Sequence, residues 1–233
     1  LTVTNGSGIH PIPITEHIFG LILALGRRIH TQIRQQHHHQ WQSMPGESLF
    51  ELPGKTMVLI GVGAIGERTA QVATALGLRV LGVRRDPTQP VPNVDAMYGQ
   101  EALPALLPQA DFVVLTVPLT QETKHMIGEA ELRAMKPSAY ILNVGRGGTI
   151  DESALITALA EGWIAGAGLD VTEVEPLPAD SPLWEMDDVI ITSHYAGATP
   201  RYIERLTALF LDNLRRYQAG EPLRNVVDKH LGY

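Results

Sequence analysis

Cysteine is absent from the 233 residues of this sequence. Its absence excludes disulfides, thiolate metal ligands and cysteine nucleophiles. Basic residues are also scarce, since 18 Lys and Arg stand against 25 Asp and Glu, for a formal net charge of −7. A nucleic-acid surface needs clustered Lys and Arg in excess. We therefore expect no nucleic-acid partner.

Long apolar runs are missing as well. The longest uncharged apolar stretch covers residues 18–25, whereas a membrane-spanning helix needs about 20 apolar residues. We therefore expect no membrane contact. A cytoplasmic location is also expected, since the absence of Cys fits a reducing compartment. Apolar residues make up 44% of the sequence beside 22 Gly and 16 Pro, a composition typical of a globular domain.

From residue 57 onward, short apolar runs alternate with helical patterns. Strands are predicted at 1–4, 57–61, 78–83, 111–117, 139–144, 164–170 and 188–192. Helices are predicted at 15–36, 64–76, 102–107, 129–135, 152–161 and 200–218. Uniformly apolar strands separated by helices are typical of a parallel sheet that is covered on both faces. We predict a doubly wound α/β domain.

A glycine-rich turn joins the strand at 57–61 to the following helix. Gly61, Gly63 and Gly66 form the pattern G-x-G-x-x-G. In this context the glycines allow a tight turn, close approach of a pyrophosphate and close helix–strand packing. The helix N-terminus attracts phosphates. The motif, with Ala64 and Ile65, predicts a dinucleotide site in a Rossmann-type domain, and a plain strand–helix turn is the alternative.

The end of the second strand of this domain bears on the choice of cofactor. NAD-binding domains carry an acidic residue about 20 residues after the glycines, where it binds the ribose 2′-hydroxyl. Here Arg84 and Arg85 occupy that place, and Asp86 follows in a turn. Two guanidinium groups can bind a 2′-phosphate through forked hydrogen bonds. We predict NADP(H) as the preferred cofactor, with NAD(H) possible; two solvated arginines are the alternative.

Three side chains able to do chemistry follow later strands. Arg146, Glu175 and His194 each come shortly after a predicted strand, at the sheet edge where open α/β folds bind ligands. Each alone has a structural explanation: a capping Arg, a loop Glu or a hydrogen-bonded His. Together, beside a dinucleotide loop, they favour an active site. Three consecutive histidines at 37–39 would point in different directions on a helix, so no metal site is expected.

With these residues in place, the sequence resembles the D-isomer-specific 2-hydroxyacid dehydrogenase family. The resembling segments are 3–5, 16–17, 61–66, 117–120 with Thr123, 143–148, 151–152, 170–178, 194–197 and 222–227. The resemblance implies hydride transfer between nicotinamide and a small 2-oxo acid substrate. Arg84 resembles the NADPH-preferring glyoxylate/hydroxypyruvate reductase branch. Ser193 stands where Pro commonly precedes the catalytic His. Glu175 argues against the formate dehydrogenase relatives, in which a different residue pairs with the catalytic histidine.

The resemblance also implies a role for each candidate residue. Arg146 would bind the carboxylate and carbonyl oxygen of the substrate, and His194 would donate the proton while Glu175 orients its ring. Asp170 would hold the nicotinamide carboxamide. The cofactor-binding set that it implies comprises Gly61, Gly63, Ala64, Ile65, Gly66, Arg84, Arg85, Thr116, Pro118, Thr123, Val144, Arg146, Asp170, His194 and Gly197.

The family is longer than this chain by a small amino-terminal domain, which forms most of its substrate-binding lobe. The chain begins at Leu1 rather than Met, so we expect it to be part of a longer protein. In that interpretation 1–14 ends the substrate-binding lobe, 15–198 is the dinucleotide-binding domain, and 199–233 is a C-terminal helix and tail that return to the lobe.

Two other functions stay open: a dinucleotide-sensing binding module, as in related transcriptional corepressors, and an inactive cofactor-domain fragment. The apolar face of the first helix, with Phe19 and Leu23, belongs either to the core or to an interface, and the family resemblance implies a homodimer. Tyr195 is the only local candidate for substrate selection.

Overall fold

The computed structural model describes residues 1–229 and centres on a sheet of seven strands. The strands are β1 (Thr56–Ile60), β2 (Arg79–Val83), β3 (Ala96–Tyr98), β4 (Phe112–Leu115), β5 (Tyr140–Asn143), β6 (Gly166–Leu169) and β7 (Val189–Ile191). Their order is β3-β2-β1-β4-β5-β6-β7, and every neighbouring pair is parallel. The winding direction reverses between β1 and β4, where open α/β sheets have their ligand crevice.

Helices cover both faces of this sheet. They are α1 (Pro11–Gly26), α2 (Ile29–His37), α3 (Ala64–Ala75), α4 (Leu103–Leu106), α5 (Glu129–Ala134), α6 (Glu152–Ala160) and α7 (Tyr202–Ala219). Successive residues of β1 alternate between two cores: Val58 and Ile60 pack in one, Met57 and Leu59 in the other, and each is at most 1% exposed. The predicted doubly wound α/β fold is therefore confirmed.

The first helix differs from the prediction at both ends. It starts at Pro11 rather than residue 15, because Pro suits the first helical position. It then breaks after Gly26, where Arg28 adopts a left-handed φ of +52°. Before this break Phe19 lies in the core and is 6% exposed, whereas Leu23 on the same helix is 42% exposed. Ile29, beyond the break, is 45% exposed.

Two short elements were also predicted incorrectly. Sequence patterns missed β3, whose three half-buried residues are too few to show a periodicity. Residues 1–4 form no strand; Thr4 makes a single antiparallel bridge with Val226. The two ends of the described chain thus lie side by side.

The last helix leaves much apolar surface exposed. None of the residues of α7 is buried, and Ile203, Phe210 and Tyr217 are 67%, 62% and 74% exposed. The assignment of 199–233 to a unit that returns to another lobe remains a prediction, and its residues 230–233 lie outside the described part. Within residues 1–229, no helix combines the length and the apolar character that crossing a bilayer requires.

Candidate active site

The glycine-rich turn connects β1 to α3, and its three glycines have different structural roles. Gly61 has φ of +100°, a region that other residues avoid. A Cβ on Gly66 would lie 2.3 Å from the Gly61 carbonyl oxygen, so only glycine lets the helix come this close. Gly63 precedes α3 without a side-chain cap, and a Cβ there would meet no atom within 4 Å. The space beside Gly63 therefore serves no packing within the chain.

A cavity of about 130 Å³ lies against this turn, and we name it the glycine-loop cavity. Its walls are Gly63, Ala64, Ile65, Gly66 and Thr116 on one side, and Gly6, Ser7, Gly8, His10 and Pro11 on the other. The Thr116 hydroxyl donates to the Gly61 carbonyl at 2.5 Å and fastens the turn to the end of β4. Open space at a helix N-terminus fits the pyrophosphate of a dinucleotide.

Arg84 and Arg85 border a second cavity of about 200 Å³, the arginine-pair cavity. Its other walls include Ile60, Val83, Pro118, Thr120 and Thr123. Arg84 turns back on its own loop, where Nε donates to Asp86 O at 2.5 Å and Nη2 to Gln89 O at 2.9 Å. Arg85 pairs with Glu122 at 2.9 Å, and its side chain is 45% exposed. A pair this exposed contributes little stability, so a phosphate can compete for the guanidinium.

His194 and Glu175 form a direct imidazole–carboxylate contact. His194 Nδ1 lies 2.7 Å from Glu175 Oε2, and Glu175 Oε1 accepts from the Thr172 amide at 3.2 Å. An ionised carboxylate only accepts hydrogen bonds, so Nδ1 carries the hydrogen in this contact. The Nε2 atom of His194 is then the one that can exchange a proton with a ligand.

The loop that carries Arg146 is shaped by Asn143, which is 1% exposed. Its Oδ1 accepts from Gly145 N at 3.1 Å, and its Nδ2 donates to Arg146 O at 3.0 Å and to Thr149 Oγ1 at 3.2 Å. The Arg146 guanidinium donates through Nη1 to Gly145 O at 2.7 Å. A guanidinium has five N–H donors, so others remain for a carboxylate.

Arg146 and His194 line one cavity of about 530 Å³, which we name the His194 cavity. Its walls also include His10, Val144, Asp170, Tyr195, Gly197 and Tyr202. Another cavity, of about 590 Å³, lies on the Glu175 side and shares Asp170, His194 and Tyr195 with it. His10 lines both the His194 cavity and the glycine-loop cavity, so these two adjoin.

Asp170 is 3% exposed and lines the His194 cavity. Its Oδ1 accepts from Thr192 Oγ1 at 2.6 Å and from Tyr195 N at 3.1 Å, while Oδ2 accepts from Ala196 N at 3.0 Å. Each carboxylate oxygen accepts about two hydrogen bonds. Within residues 1–229, Ala196 N is the one donor bonded to Oδ2.

Nearly all of the residues predicted to bind a cofactor line the glycine-loop, arginine-pair or His194 cavity. Gly63, Ala64, Ile65, Gly66 and Thr116 line the first, Arg84, Arg85, Pro118 and Thr123 the second, and Val144, Arg146, Asp170, His194 and Gly197 the third. Gly61 lies under the turn and lines none of them. The Thr123 hydroxyl donates to Pro118 O at 2.6 Å and shapes its own loop.

Sequence reasoning missed His10 and gave Asn143 no role. His10 Nδ1 contacts Gly197 O at 3.0 Å, and its ring stacks on Tyr202 with centroids 5.5 Å apart. Its place just before Pro11 at a helix start was the only local signal. Within residues 1–229, no three His, Cys, Asp or Glu side chains are grouped so as to hold a metal ion.

Comparison with known proteins covers most of the chain. Residues 19–196 match the family model described as D-isomer specific 2-hydroxyacid dehydrogenase, NAD binding domain. The chain is 37% identical over 237 residues to the glyoxylate reductase of Korarchaeum cryptofilum. That alignment covers 98% of this chain and 70% of the relative.

Two solved structures resemble the chain along its whole length. One is a D-isomer specific 2-hydroxyacid dehydrogenase from Xanthobacter autotrophicus in complex with NADPH and MES, with a TM-score of 0.87, 34% identity, and coverage of 100% of this chain and 94% of that chain. The other is an NADPH-dependent glyoxylate/hydroxypyruvate reductase from Sinorhizobium meliloti in complex with NADP and sulfate. It has a TM-score of 0.85, 28% identity, and coverage of 96% of this chain and 70% of that chain.

Proposed function

This chain belongs to the D-isomer-specific 2-hydroxyacid dehydrogenase family, and we propose that it reduces a small 2-oxo acid to the D-2-hydroxy acid with NADPH. Its relatives make it an NAD(P)-dependent oxidoreductase that acts on a CH–OH group. The observation that carries the proposal is the contact of His194 Nδ1 with Glu175 Oε2 at 2.7 Å, beside a cavity that Arg146 also lines.

Substrate binding falls to Arg146. The free N–H donors of its guanidinium match the two oxygens of a 2-oxo acid carboxylate, and charge-assisted pairs of this kind are strong. The same cation stabilises the negative charge that develops on the carbonyl oxygen during reduction. Gly147 lets the loop that carries Arg146 pack closely on the segment before Glu175, since a Cβ there would lie 1.9 Å from the Thr172 carbonyl oxygen.

Proton transfer falls to His194. Glu175 holds Nδ1, so Nε2 delivers its proton to the substrate oxygen as the carbonyl carbon accepts the hydride. In the direction of oxidation the same nitrogen takes the proton from the hydroxyl. Glu175 fixes the ring orientation by accepting the hydrogen bond from Nδ1.

In this proposal, residues of the glycine-loop, arginine-pair and His194 cavities would hold the cofactor. When bound, the nicotinamide supplies or accepts the hydride. The gap at Gly63 and the start of α3 would hold the pyrophosphate, and Asp170 Oδ2 would accept from the carboxamide. Arg84 and Arg85 would bind the 2′-phosphate after leaving their present partners, and the NADPH and NADP complexes of the two similar structures support this preference.

The activity is tested by following the loss of nicotinamide absorbance with glyoxylate, hydroxypyruvate and bulkier 2-oxo acids. We expect His194→Gln to lower kcat by roughly 1,000-fold, since positioned proton donors contribute up to about 10⁴-fold, while NADPH still binds. A matched control is His125→Gln, because His125 pairs with Glu173 at 2.8 Å yet lines none of the three cavities. Tight NADPH binding without oxidation by any 2-oxo acid would instead favour the dinucleotide-sensing module.

The cofactor preference is tested by titrating NADPH and NADH side by side, in the wild type and in Arg84→Asp. The substitution places a carboxylate where a 2′-phosphate would lie, so we expect NADPH affinity to fall by about 10- to 100-fold, as for loss of a hydrogen bond to a charged group, with NADH affinity kept. An unchanged preference contradicts the assignment of Arg84.

We also propose that the protein is a homodimer, because apolar side chains at the end of α1 and beyond are exposed. Leu23, Ile33 and Trp41 are 42%, 49% and 101% exposed, and exposed apolar clusters mark interaction surfaces. Light scattering tests this, and a monomeric mass contradicts it. A cytoplasmic location stays a prediction, for which fractionation of the source cells is the measurement.

A further inference from the structure

Asp170 accepts hydrogen bonds from several backbone amides of the loop that carries His194. The carbonyl oxygen of Asp170 accepts from His194 N at 2.8 Å, and its carboxylate accepts from Tyr195 N at 3.1 Å and from Ala196 N at 3.0 Å. Three consecutive backbone amides of the loop therefore bond to one residue on the neighbouring strand end.

The backbone of His194 needs such support. Its φ is +55°, in the left-handed region that residues with a Cβ seldom adopt. A conformation of this kind persists only where the surrounding structure imposes it. Because the imidazole direction follows the backbone, the amide bonds to Asp170 also set where Nε2 points.

Asp170 is itself positioned by two further side chains. Thr192 Oγ1 lies 2.6 Å from Asp170 Oδ1, and His17 Nε2 lies 2.9 Å from Thr192 Oγ1. A hydroxyl has one hydrogen, which Thr192 donates to the carboxylate because an ionised carboxylate only accepts. Thr192 must therefore accept from His17, whose Nε2 carries the hydrogen.

His17 is positioned by α1 and also packs against the loop. It lies on α1, its side chain is 13% exposed, and its ring meets the Tyr195 ring edge-on with centroids 5.3 Å apart. Its neighbours Ile18, Leu21 and Ile22 are buried in the core. α1 is thus connected to the active-site loop through the side chain of His17.

We propose that His17 and Thr192 are positioning residues that, through Asp170, hold His194 in its proton-transfer orientation. The proposal rests on the proposed function for the role of His194. It assigns to α1 a part in the chemistry from a place about 175 residues away along the chain. Neither residue touches the reacting atoms; both act by fixing the carboxylate that binds the loop.

The test compares Thr192→Val, which keeps the shape of the side chain and removes the hydroxyl, with Thr192→Ser, which keeps the hydroxyl. We expect Thr192→Val to lower kcat by roughly 10- to 100-fold, as displacement of a catalytic group does, while the Kd for NADPH changes far less. Thr192→Ser should restore most of kcat. Thr157→Val is the matched control, since the Thr157 hydroxyl donates to Ser153 O on the exposed side of α6.

A second readout does not depend on activity. Hydrogen exchange of the Tyr195 and Ala196 amides should be faster in Thr192→Val, because their acceptor Asp170 is less firmly held, and unchanged in Thr192→Ser and Thr157→Val. His17→Phe keeps the ring packing against Tyr195 and removes the donor, so it serves where Thr192→Val does not fold. It should show the same changes to a smaller extent.

Unchanged kcat and unchanged amide exchange in both Thr192→Val and His17→Phe overturn the proposal. So does a Thr192→Ser variant that behaves like Thr192→Val. A wild-type protein that oxidises no NADPH with any 2-oxo acid refutes the proposed function instead, and the amide exchange then still shows whether the network holds the loop.

Discussion

Two parts of the sheet edge, one between β1 and β2 and one between β5 and β7, form the candidate site in opposite ways. Between β1 and β2 the site depends on residues without a side chain. Gly61, Gly63 and Gly66 have no Cβ and leave the backbone of the turn close to a cavity. Between β5 and β7 the site is built from side chains, where Arg146 and His194 sit on loops tied to buried polar residues. A substitution in the first half acts by filling space, whereas one in the second acts by removing a support.

The helix starts in the two halves show the same contrast. Gly63 precedes α3 and provides no side-chain cap, so the amides of the first turn of α3 can face a ligand. Asp151 precedes α6, and its carboxylate accepts from Ala154 N at 3.1 Å. One helix N-terminus is open for phosphate, and the other is satisfied by the chain itself.

The largest effect on stability is expected where a buried support is removed. Asn143→Ala leaves the buried Gly145 amide without its acceptor, at a cost of about 1–3 kcal/mol. The Arg146 carbonyl loses one donor but keeps Thr149 N and Thr149 Oγ1, and the truncated side chain adds the cost of a cavity at a site that is 1% exposed. We expect the free energy of unfolding to fall by about 3 kcal/mol, measured by urea denaturation, with kcat falling as well. Asn213→Ala is the control, because its bonds to Arg224 lie at the surface. Equal losses in the two variants would contradict the contrast.

A smaller effect is expected from filling space in the glycine half. Gly66→Ala gains up to about 1 kcal/mol of helix propensity, but its Cβ would meet the Gly61 carbonyl at 2.3 Å. Overpacking costs about 1–3 kcal/mol, and we expect the upper end because the atom that the Cβ meets belongs to the backbone. The net loss in urea denaturation should therefore be about 2 kcal/mol.

Gly63→Ala is the matched variant at the same turn. A Cβ there meets no atom within 4 Å, so stability should stay within about 0.5 kcal/mol of the wild type. NADPH binding, followed by fluorescence titration, should weaken because the methyl group enters the space assigned to the pyrophosphate. Unweakened binding would remove Gly63 from the cofactor site.

The smallest effect concerns the cap of α6. The Ser153 hydroxyl and the Ala154 amide hold the pKa of Asp151 below its ordinary value of 3.8. The stabilisation is therefore complete above that value and is lost as the pH falls through the lower pKa of the folded state. Asp151→Ala should cost about 1 kcal/mol at neutral pH, and the difference from wild type should shrink in acid.

Asp151→Asn is the control for this prediction, because Asn caps helices without titrating in acid. Its stability relative to Asp151→Ala should be independent of pH. A wild-type difference that persists at the lowest pH at which the protein is folded would show that the carboxylate charge has no part in the cap.

Features encoded in adjacent residues were predictable. The glycine turn and the strands 57–61 and 139–144 follow from motif and hydropathy, because a few neighbouring residues decide them. The break at Arg28 was missed, since the helical pattern continues through it and only the packing of α1 ends there. β3 escaped because an edge strand of three residues carries too little periodicity.

The candidate site divides along the same line. Arg146, Glu175 and His194 could be named from their places after strands and from a family resemblance, yet no local pattern connects Glu175 to His194 Nδ1 or His10 to Gly197. Such contacts join residues that are far apart along the chain, whereas a sequence pattern reflects only the properties of residues that are close in sequence.

The sequence by itself determined the parallel sheet, the glycine turn and the chemical types at the sheet edge, because hydropathy and backbone freedom are properties of short segments. The tertiary structure alone decided that His17, Thr192 and Asp170 join in one network under the His194 loop. The physical reason is that hydrogen bonds depend on distances of about 3 Å between atoms, which only the packing of α1 against the sheet brings about.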